Sequence, residues 1–529
     1  MNKPSSELPG PEVGLPGALL SPQAWPHDVG PVELVETHIS WVFLAGDLAY
    51  KVKKPVKLDF LDFSTPALRQ HFCEEELRIN RCFAPDLYLG LSRIVRTADG
   101  LRVDRPGETL EYAVRMQRFD REQELDRLLG RNAVETGLVR RFGYKLAGQH
   151  GAAPVAGPGL DWASPARNLR ACRENFSTLR QLDRPEIAMR VDQLEGWTAR
   201  AFRRLRKLLR ERLLAGRFRE CHGDLHCANV VRHDDELWAF DALEFDPGLR
   251  WIDVASDLAF LTMDLRARGH AGLSSALLDG WLEGCGDFCA LEALRFYEVY
   301  RACVRAKVAA IRLRQGPRRP AALEHELETY LKTAESATAP SKPMLVATTG
   351  LSGSGKSWLA SRLLAPLDAV RVRSDVERKR LAVLAQGDAG GTELYTPAMT
   401  RLTYSRLSEL ALLVLRGGFS VIVDAAFLLA EERDALRRVA AGAGVPFRLL
   451  WVTADTSLLR SRIRDRAVAG EDPSDATLAV LESQREFAEA PAGKELEDTI
   501  QVDTGSTIDL QGLVSLLRAS SGERTDGRS

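Results

Sequence analysis

The stretch Gly350-Leu351-Ser352-Gly353-Ser354-Gly355-Lys356-Ser357 decides the fold of the second half of the chain. It matches the phosphate-binding loop pattern G-x-x-x-x-G-K-[ST] at every fixed position. A strand-like apolar run precedes it, and a segment with helical spacing follows it. In such a loop the backbone N–H groups and the helix N-terminus surround phosphates, Lys356 reaches the outer phosphates, and the Ser357 hydroxyl can ligate Mg²⁺. The stretch therefore predicts nucleotide binding.

Apolar strand-like runs alternate with helical patterns on both sides of this loop. The runs span residues 345–349, 369–372, 419–423 and 447–452, with a weaker one at 499–502. Such alternation predicts right-handed crossovers around a parallel sheet, with ligands at the carboxyl ends of its strands. The loop, Asp375 and Asp424 all follow such runs. We therefore expect a three-layer α/β/α P-loop domain over residues 344–519.

The segment after the second run carries candidates for acceptor chemistry. Ser374-Asp375-x-x-Arg378-Lys379 resembles a family of small kinases that includes gluconate kinase-like, zeta-toxin-like and polynucleotide 5′-kinase domains. The resemblance implies that Asp375 is a catalytic base for the acceptor hydroxyl and that Arg378 binds the substrate. The alternative is helix capping by Ser374 and Asp375, which is compatible with that function.

A cluster of arginines after the fourth run is typical of a lid. Among these arginines Arg462 and Arg466 lie one helical turn apart and share a face, and a loop follows at 470–476. We predict that this pair acts catalytically by neutralising charge on the transferring phosphoryl group, with a solvated basic face as the alternative. Asp424 ends an apolar strand, as a metal-orienting carboxylate should. The region lacks the N-K-x-D element of GTPases, so a kinase is the better interpretation.

The first half carries a second constellation, His222-Gly223-Asp224-Leu225-His226-Cys227-Ala228-Asn229, followed by Phe240-Asp241. Protein kinases place an Asp, an Asn and a second Asp at the same offsets, because the first carboxylate faces the acceptor hydroxyl while the other two side chains hold Mg²⁺. Ordinary turn chemistry is the alternative for Asp224 and Asn229. The joint match favours a phosphotransfer site.

The H-G-D-L-H-x-x-N form resembles the aminoglycoside phosphotransferase and choline kinase group, as does the downstream segment from Asp253 to Ala259. The resemblance implies a two-lobed protein-kinase-like fold. It also implies that Asp224 is the catalytic base or a substrate-orienting carboxylate, that Asn229 and Asp241 are metal ligands, and that His222 supports the loop. Glu244 is a further candidate near the metal, and His226 is as consistent with packing as with function.

A strand lysine should complete the first site. Gly46-Asp47 is a two-residue hairpin signal, and in the strand that follows it Lys51 best fits the kinase A-x-K element, which would pair with nucleotide phosphates. A solvated lysine face is the alternative. The partner glutamate comes from Glu74, Glu75 or Glu76, and we favour Glu75 as the second nucleotide-binding residue. The glycine-rich loop G-x-G-x-x-G of protein kinases is absent, which favours a small-molecule kinase.

Length and composition argue against several other classes of protein. At 529 residues, with 72 basic and 73 acidic side chains, the chain predicts several domains and no global field for nucleic acid. No apolar run is long enough for a membrane span, and no signal peptide is evident, so we expect a cytoplasmic protein. We divide it into a loose segment (1–30), a kinase-like domain (31–335), a linker (336–343), the P-loop domain and a disordered tail (520–529). The oligomeric state is left open.

Taken together, these patterns predict a bifunctional ATP- and Mg²⁺-dependent kinase that acts on hydroxyl groups of small molecules. The whole chain resembles a group of bacterial proteins in which an aminoglycoside phosphotransferase-like domain is fused to a P-loop kinase domain. Two alternatives stay open. One or both sites could be ATP-binding regulatory modules without turnover, or the second half could phosphorylate 5′-hydroxyl ends of polynucleotides.

Overall fold

The structure is a computed structural model that describes residues 14–58, 61–157, 159, 164–316, 320–386, 396–469 and 477–519. The predicted lid loop, 470–476, and the predicted tail, 520–529, lie outside these residues. Among the described residues, no helix combines the length and the apolar character needed to cross a bilayer.

The first half begins with an antiparallel sheet, as the alternating apolar pattern up to residue 114 indicates. Its elements are α1 (Leu15–Leu19), β1 (Glu33–Glu36), β2 (Ser40–Ala45), β3 (Leu48–Lys53), the short hairpin β4 (Lys57–Leu58) and β5 (Leu61–Asp62), α2 (Pro66–Phe83), β6 (Tyr88–Thr97), β7 (Gly100–Val103) and β8 (Glu108–Gln117). Six of these strands pair in the order β1-β2-β3-β8-β6-β7. The predicted hairpin joins β2 to β3, and Gly46 in its turn has a φ of 62°, which suits glycine.

The segment before this sheet is packed, contrary to the prediction of a loose region over 1–30. Leu15 and Leu19 of α1 are buried, as is Trp25, whose ring lies 4.5 Å from that of Tyr50 on β3. These side chains join the apolar cluster on one face of the sheet. The prediction was wrong for the described residues of the segment because its apolar side chains are irregularly spaced and give no periodic signal.

The second lobe of the first half is mostly helical. Its elements are α3 (Leu125–Gly130), α4 (Thr136–Ala152), α5 (Pro165–Arg180), α6 (Pro185–Leu214), β9 (Phe218–Glu220), β10 (Val230–His233), β11 (Glu236–Ala239), α7 (Pro247–Arg250), β12 (Trp251–Asp253), α8 (Val254–Ala267), α9 (Ala271–Cys285), α10 (Leu291–Arg314) and α11 (Pro320–Thr338). The segment with the predicted catalytic loop lies between β9 and β10. This arrangement confirms the two-lobed, protein-kinase-like fold.

The second half is a parallel sheet between helices. Its elements are β13 (Leu345–Thr349), α12 (Lys356–Leu363), β14 (Ala369–Arg373), α13 (Ser374–Gln386), α14 (Pro397–Arg416), β15 (Ser420–Asp424), α15 (Ala430–Ala443), β16 (Phe447–Thr453), α16 (Thr456–Ala469), α17 (Leu478–Phe487), β17 (Thr499–Asp503) and α18 (Leu510–Arg518). The strand order is β14-β15-β13-β16-β17, and all four pairings are parallel. The P-loop α/β/α fold is thus confirmed.

The two halves are in contact. One apolar cluster includes Leu294 of α10 in the first half and Leu410 of α14 in the second. Asp368, just before β14, pairs with Arg266 at 2.9 Å and with Arg295 at 3.1 Å across the boundary. Helix α11 continues to Thr338, so it takes up the first three residues of the predicted linker.

Candidate active sites

The glycine-rich loop joins β13 to α12, as the sequence predicts. Gly353 and Gly355 have φ angles of 82° and 88°, which side chains with a Cβ rarely adopt. A Cβ on Gly353 would also meet the carbonyl oxygen of Leu459 at 2.7 Å. The Nζ atom of Lys356 donates to the carbonyl oxygens of Gly350 and Leu351, both at 2.8 Å. The loop therefore has the curled backbone that surrounds phosphates.

A cavity of about 660 Å³ opens beside this loop. Its walls bring together most of the residues that the sequence singled out in the second half. They include Ser352, Gly353, Gly355, Lys356, Ser357, Asp375, Arg378, Asp424 and Arg462. The phosphate-binding loop, the predicted base and the predicted metal-binding carboxylate thus line one cavity.

Asp424 has the local structure expected of a carboxylate that binds a metal ion. It ends β15 and is buried, and its Oδ2 atom accepts no hydrogen bond from the part of the chain that is described. Buried carboxylate oxygens normally have partners, so an unsatisfied one beside a phosphate-binding loop is consistent with a cation. Ser357, in the first turn of α12, lines the same cavity. These two side chains fit a Mg²⁺ ion.

The predicted lid arginine contacts the loop directly. The guanidinium of Arg462 donates to the carbonyl oxygen of Gly353 at 3.3 Å, and it reaches both the hydroxyl and the carbonyl oxygen of Thr504, at 2.7 and 2.9 Å. Arg462 therefore links α16 to the phosphate-binding loop and to the segment after β17. Arg466 is in the same helix, but its side chain lies outside the described residues.

Arg378 lines the same cavity as the loop. Its Nη1 atom donates to the Thr400 hydroxyl at 3.2 Å, which ties α13 to α14 at the rim of the cavity. The neighbouring Asp375 lines the cavity from the first turn of α13. The pair is therefore placed where an acceptor could meet the phosphate-binding loop.

In the first half, Lys51 of β3 lies at the centre of a charged cluster. Its Nζ atom lies 2.7 Å from Glu76 Oε1 and 2.5 Å from Asp241 Oδ1. Burial opposes the charge on Lys51, but the carboxylates of Asp241 and Glu76 outweigh it and raise the pKa of Lys51 well above its usual value. The structure thus places Lys51, the predicted phosphate-binding lysine, in contact with Asp241, the predicted metal ligand.

The glutamate that pairs with Lys51 is Glu76, so the expectation for Glu75 was wrong. Glu76 is fully buried and also pairs with Lys53 at 2.8 Å. Burial would raise the pKa of Glu76, but Lys51 and Lys53 lower it to about 2. Glu75 points to another side of α2, where it pairs with Arg78 and Arg250. One residue along a helix is about 100° of rotation, which separates the two side chains.

The lysine strand is not a solvated face. Lys53 has no exposed side-chain surface, and it pairs with Glu244 as well as with Glu76. Burial is the main reason that the pKa of Glu244 is raised. Glu244 therefore serves as a partner of Lys53 here.

In the predicted catalytic loop, the side chains of Asp224 and Asn229 are in contact. Asn229 Nδ2 donates to the carbonyl oxygen and to the Oδ2 atom of Asp224, at 3.0 and 3.1 Å. The amide oxygen of Asn229 is then the atom that could ligate a metal ion. His226 Nε2 lies 3.4 Å from Asp224 Oδ2. Burial alone would raise the pKa of Asp224, but His226 outweighs it, so that pKa is lowered and the carboxylate stays ionised.

Buried hydrogen bonds hold this loop from behind. His222 Nδ1 accepts from the backbone N–H of Asp224 at 3.3 Å, and its Nε2 atom donates to the carbonyl oxygen of Phe240 at 2.9 Å. Asp257 accepts from the backbone N–H groups of His222 and Gly223, at 3.0 and 2.9 Å. The downstream segment quoted from the sequence therefore anchors the catalytic loop through Asp257.

Relatives match most of the chain. The protein of Mycobacterium tuberculosis (strain ATCC 25618 / H37Rv) named Uncharacterized protein Rv2004c is 31% identical over 497 residues, which are 91% of this chain and 93% of that protein. The chain belongs to this protein's family. Residues 345–491 also match the AAA domain family, which confirms the resemblance of the second half to P-loop proteins.

Solved structures resemble each half. A choline/ethanolamine kinase family protein from Mesorhizobium loti is 14% identical, covers 58% of this chain and 88% of its own, and has a TM-score of 0.37. The Mycobacterium tuberculosis APS kinase CysC, solved in complex with AMPPNP and APS, is 28% identical, covers 34% of this chain and 100% of its own, and has a TM-score of 0.26.

Sequence reasoning missed some residues of both sites. Gln484 of α17 accepts from the backbone N–H of Ser352 at 2.9 Å, and Thr504 binds Arg462 and donates to the carbonyl oxygen of Ser354 at 2.7 Å. Neither belongs to a recognisable motif. Glu76 is one of three adjacent glutamates, so the sequence includes it among the candidates. Only the orientation of α2 identifies which of the three glutamates faces Lys51.

Proposed function

We propose that the chain is an ATP-dependent phosphotransferase with two sites, each of which transfers the γ-phosphate of ATP to a hydroxyl group of a small molecule. The observation that carries the proposal is the cavity of the second half, in which the phosphate-binding loop, Asp424, Asp375 and Arg378 line one space. Nucleotide binding without turnover needs the loop, whereas a carboxylate and an arginine in the same cavity support chemistry on an acceptor.

In the second half, the backbone N–H groups of the loop and Lys356 would bind the phosphates. Ser357 and Asp424 would hold Mg²⁺, which neutralises phosphate charge when it is bound. Asp375 would accept the proton of the acceptor hydroxyl, and Arg378 would orient the acceptor. Arg462 would hold the loop against α16, so its role is to position the phosphates.

In the first half, Lys51 would bind the nucleotide phosphates, held in place by Glu76. Asp241 and Asn229 would be the metal ligands, and Asp224 would receive or orient the acceptor hydroxyl. The ionised state of Asp224 and its contact with Asn229 support these roles. The paired charges around Lys51 support a phosphate site, because each carboxylate fixes the lysine in one position.

The substitution Asp375→Asn in the full chain tests whether Asp375 is the base for the acceptor hydroxyl at the second site. Loss of a general base lowers turnover by about 10²- to 10⁴-fold. We expect ATP turnover at this site to fall within that range while the affinity for ADP stays within about twofold, because Asp375 belongs to α13 and not to the phosphate-binding loop.

The matched control is Asp434→Asn, which removes an exposed carboxylate that pairs with Arg437 on its own helix. Turnover should be unchanged in this variant. If Asp375→Asn retains full turnover, or if it lowers ADP affinity as much as turnover, Asp375 is not the base.

A further inference from the structure

Two arginines of β14 lie between helix α9 of the first half and the cavity of the second. Arg371 donates through Nη2 and Nε to the two carboxylate oxygens of Asp279, at 2.7 and 3.2 Å. Arg373 Nη1 lies 3.5 Å from Glu283 Oε2. Asp279 and Glu283 are four residues apart and therefore share one face of α9. An acidic face of the first half thus meets a basic strand of the second.

The same arginines reach the two residues whose side chains would hold Mg²⁺. Arg371 Nη1 donates to the carbonyl oxygen of Ser357 at 3.4 Å and lies 3.9 Å from Asp424 Oδ2. Arg373 Nε lies 3.8 Å from that same oxygen. Each arginine therefore has one carboxylate partner from α9 on one side and Asp424 on the other.

Because these side chains are buried, it matters which carboxylate each arginine contacts. The side chains of Arg371 and Arg373 are 5% and 10% exposed, and those of Asp279 and Asp424 are 5% and 4% exposed. Charges interact strongly in such surroundings because solvent screens them weakly. A guanidinium that moved from α9 to Asp424 would pair directly with the oxygen that a cation needs.

The contacts of α9 hold Arg371 away from that position, and Glu283 lies nearer to Arg373 than Asp424 does. Asp279 engages Arg371 with two hydrogen bonds, whereas Asp424 lies beyond hydrogen-bonding distance of both arginines. Arg140 of α4 also donates to Asp279, at 2.8 Å, and it pairs with Glu283, which fixes these two carboxylates within the first half.

We propose that Asp279 and Glu283 of the first half are positioning residues for the phosphotransfer site of the second half. They hold Arg371 and Arg373 so that Asp424 and Ser357 remain available to Mg²⁺. This inference rests on the proposed function of the second site. It makes α9 a part of that site, although α9 belongs to the other kinase-like domain.

The test is the effect of Mg²⁺ on ADP affinity, measured by calorimetry on full-length protein. The binding component that disappears in Lys356→Ala belongs to the second site. In Asp279→Asn we expect the gain in affinity that Mg²⁺ gives this component to shrink by roughly 5- to 30-fold, as for a typical coupling between sites. The affinity without Mg²⁺ should change by less than about twofold, since the loop itself is untouched.

Two further variants complete the experiment. Glu283→Gln alters the more exposed partner. Of the two β14 arginines it affects only Arg373, although it also loosens the contact with Arg140 of α4. It should give the same selective loss with a smaller size, even if Asp279→Asn does not fold. Asp368→Asn is the control, because it breaks an ion pair between the halves that involves Arg266 and Arg295 and neither arginine of β14. It should leave the Mg²⁺ effect unchanged.

The outcomes are distinct. Equal losses of affinity with and without Mg²⁺, or the same loss in Asp368→Asn, would mean that α9 only supports the boundary, and the inference would be overturned. Absence of any Lys356-dependent ADP binding, or of a Mg²⁺ effect in the unmodified chain, would instead contradict the proposed function of the second site.

Discussion

The charged cluster around Lys51 depends on the identity of one glutamate. Three successive glutamates could face β3 from α2, and the sequence does not say which one does, because an error of one residue changes the facing of a helix by about 100°. Glu76 lies between Lys51 and Lys53 and is fully buried, whereas Glu75 is partly exposed and pairs with the exposed Arg78 and the buried Arg250. The two glutamates should therefore respond differently to the same Glu→Gln substitution.

Glu76→Gln should impair the first site and destabilise the protein, whereas Glu75→Gln should do neither to a comparable degree. Removing one partner from a buried ion pair costs about 3 kcal/mol or more. Loss of the partly exposed Glu75 carboxylate should cost up to about 1 kcal/mol, because its buried partner Arg250 keeps Glu220 at 3.0 Å. Turnover at the first site and urea denaturation measure the two effects. Equal effects of both substitutions would show that Glu76 has no special role.

His222 should make stability depend on pH. The pKa of this histidine is lowered from 6.5, because burial disfavours the charged ring more than Asp257 and Asp224 favour it. A group with a lowered pKa in the folded state binds protons more readily when the chain unfolds, so stability falls as the pH drops below about 6.5.

We predict that His222→Asn reduces this loss. The amide can both accept from the N–H of Asp224 and donate, but it does not titrate in this range. The measurement is the free energy of unfolding at about pH 7.5 and about pH 5.5 for both proteins, a range in which an ordinary histidine titrates. If both proteins lose the same stability between these two conditions, protonation of His222 is not the cause.

At the scale of elements, the parallel strands could be predicted closely. Each of the five predicted runs corresponds to a strand that differs by at most one residue at either end, as for 369–372 and Ala369–Arg373. Strands buried on both faces are continuous apolar runs, which is a strong signal. The packing of α1 could not be predicted, because five helical residues give too short a pattern for a periodic signal.

Helix α16 gives a prediction at this scale. Arg462 joins the helix to the phosphate-binding loop, whereas Arg464, two residues later, is exposed. Arg462→Ala should raise the KM for ATP at the second site by about 10- to 100-fold, since small displacements of phosphate-binding groups are costly. Arg464→Ala should have an effect of less than about twofold. Steady-state kinetics of the full chain distinguish them, and a larger effect at Arg464 would contradict the positioning role of Arg462.

At the scale of the whole molecule, the sequence predicted both kinase-like halves but not their connection. Both motifs are local, so they can be read from consecutive residues. Asp279 lies 92 residues before its partner Arg371 and belongs to no motif. Contacts of this kind depend on how two finished domains pack together, and a pattern along the chain does not record them. The apolar cluster that both halves share shows that they pack against each other.

The central claim is that one chain carries two separate phosphotransfer sites. The most direct measurement is the consumption of ATP and the identification of phosphorylated products from a pool of hydroxyl-bearing metabolites with Mg²⁺. The intact protein is compared with Asp224→Asn, Lys356→Ala and the control Asp434→Asn. We predict that the first two substitutions abolish different products and that the control abolishes none. If neither Asp224→Asn nor Lys356→Ala alters product formation while ATP still binds, the claim of two working kinases is contradicted.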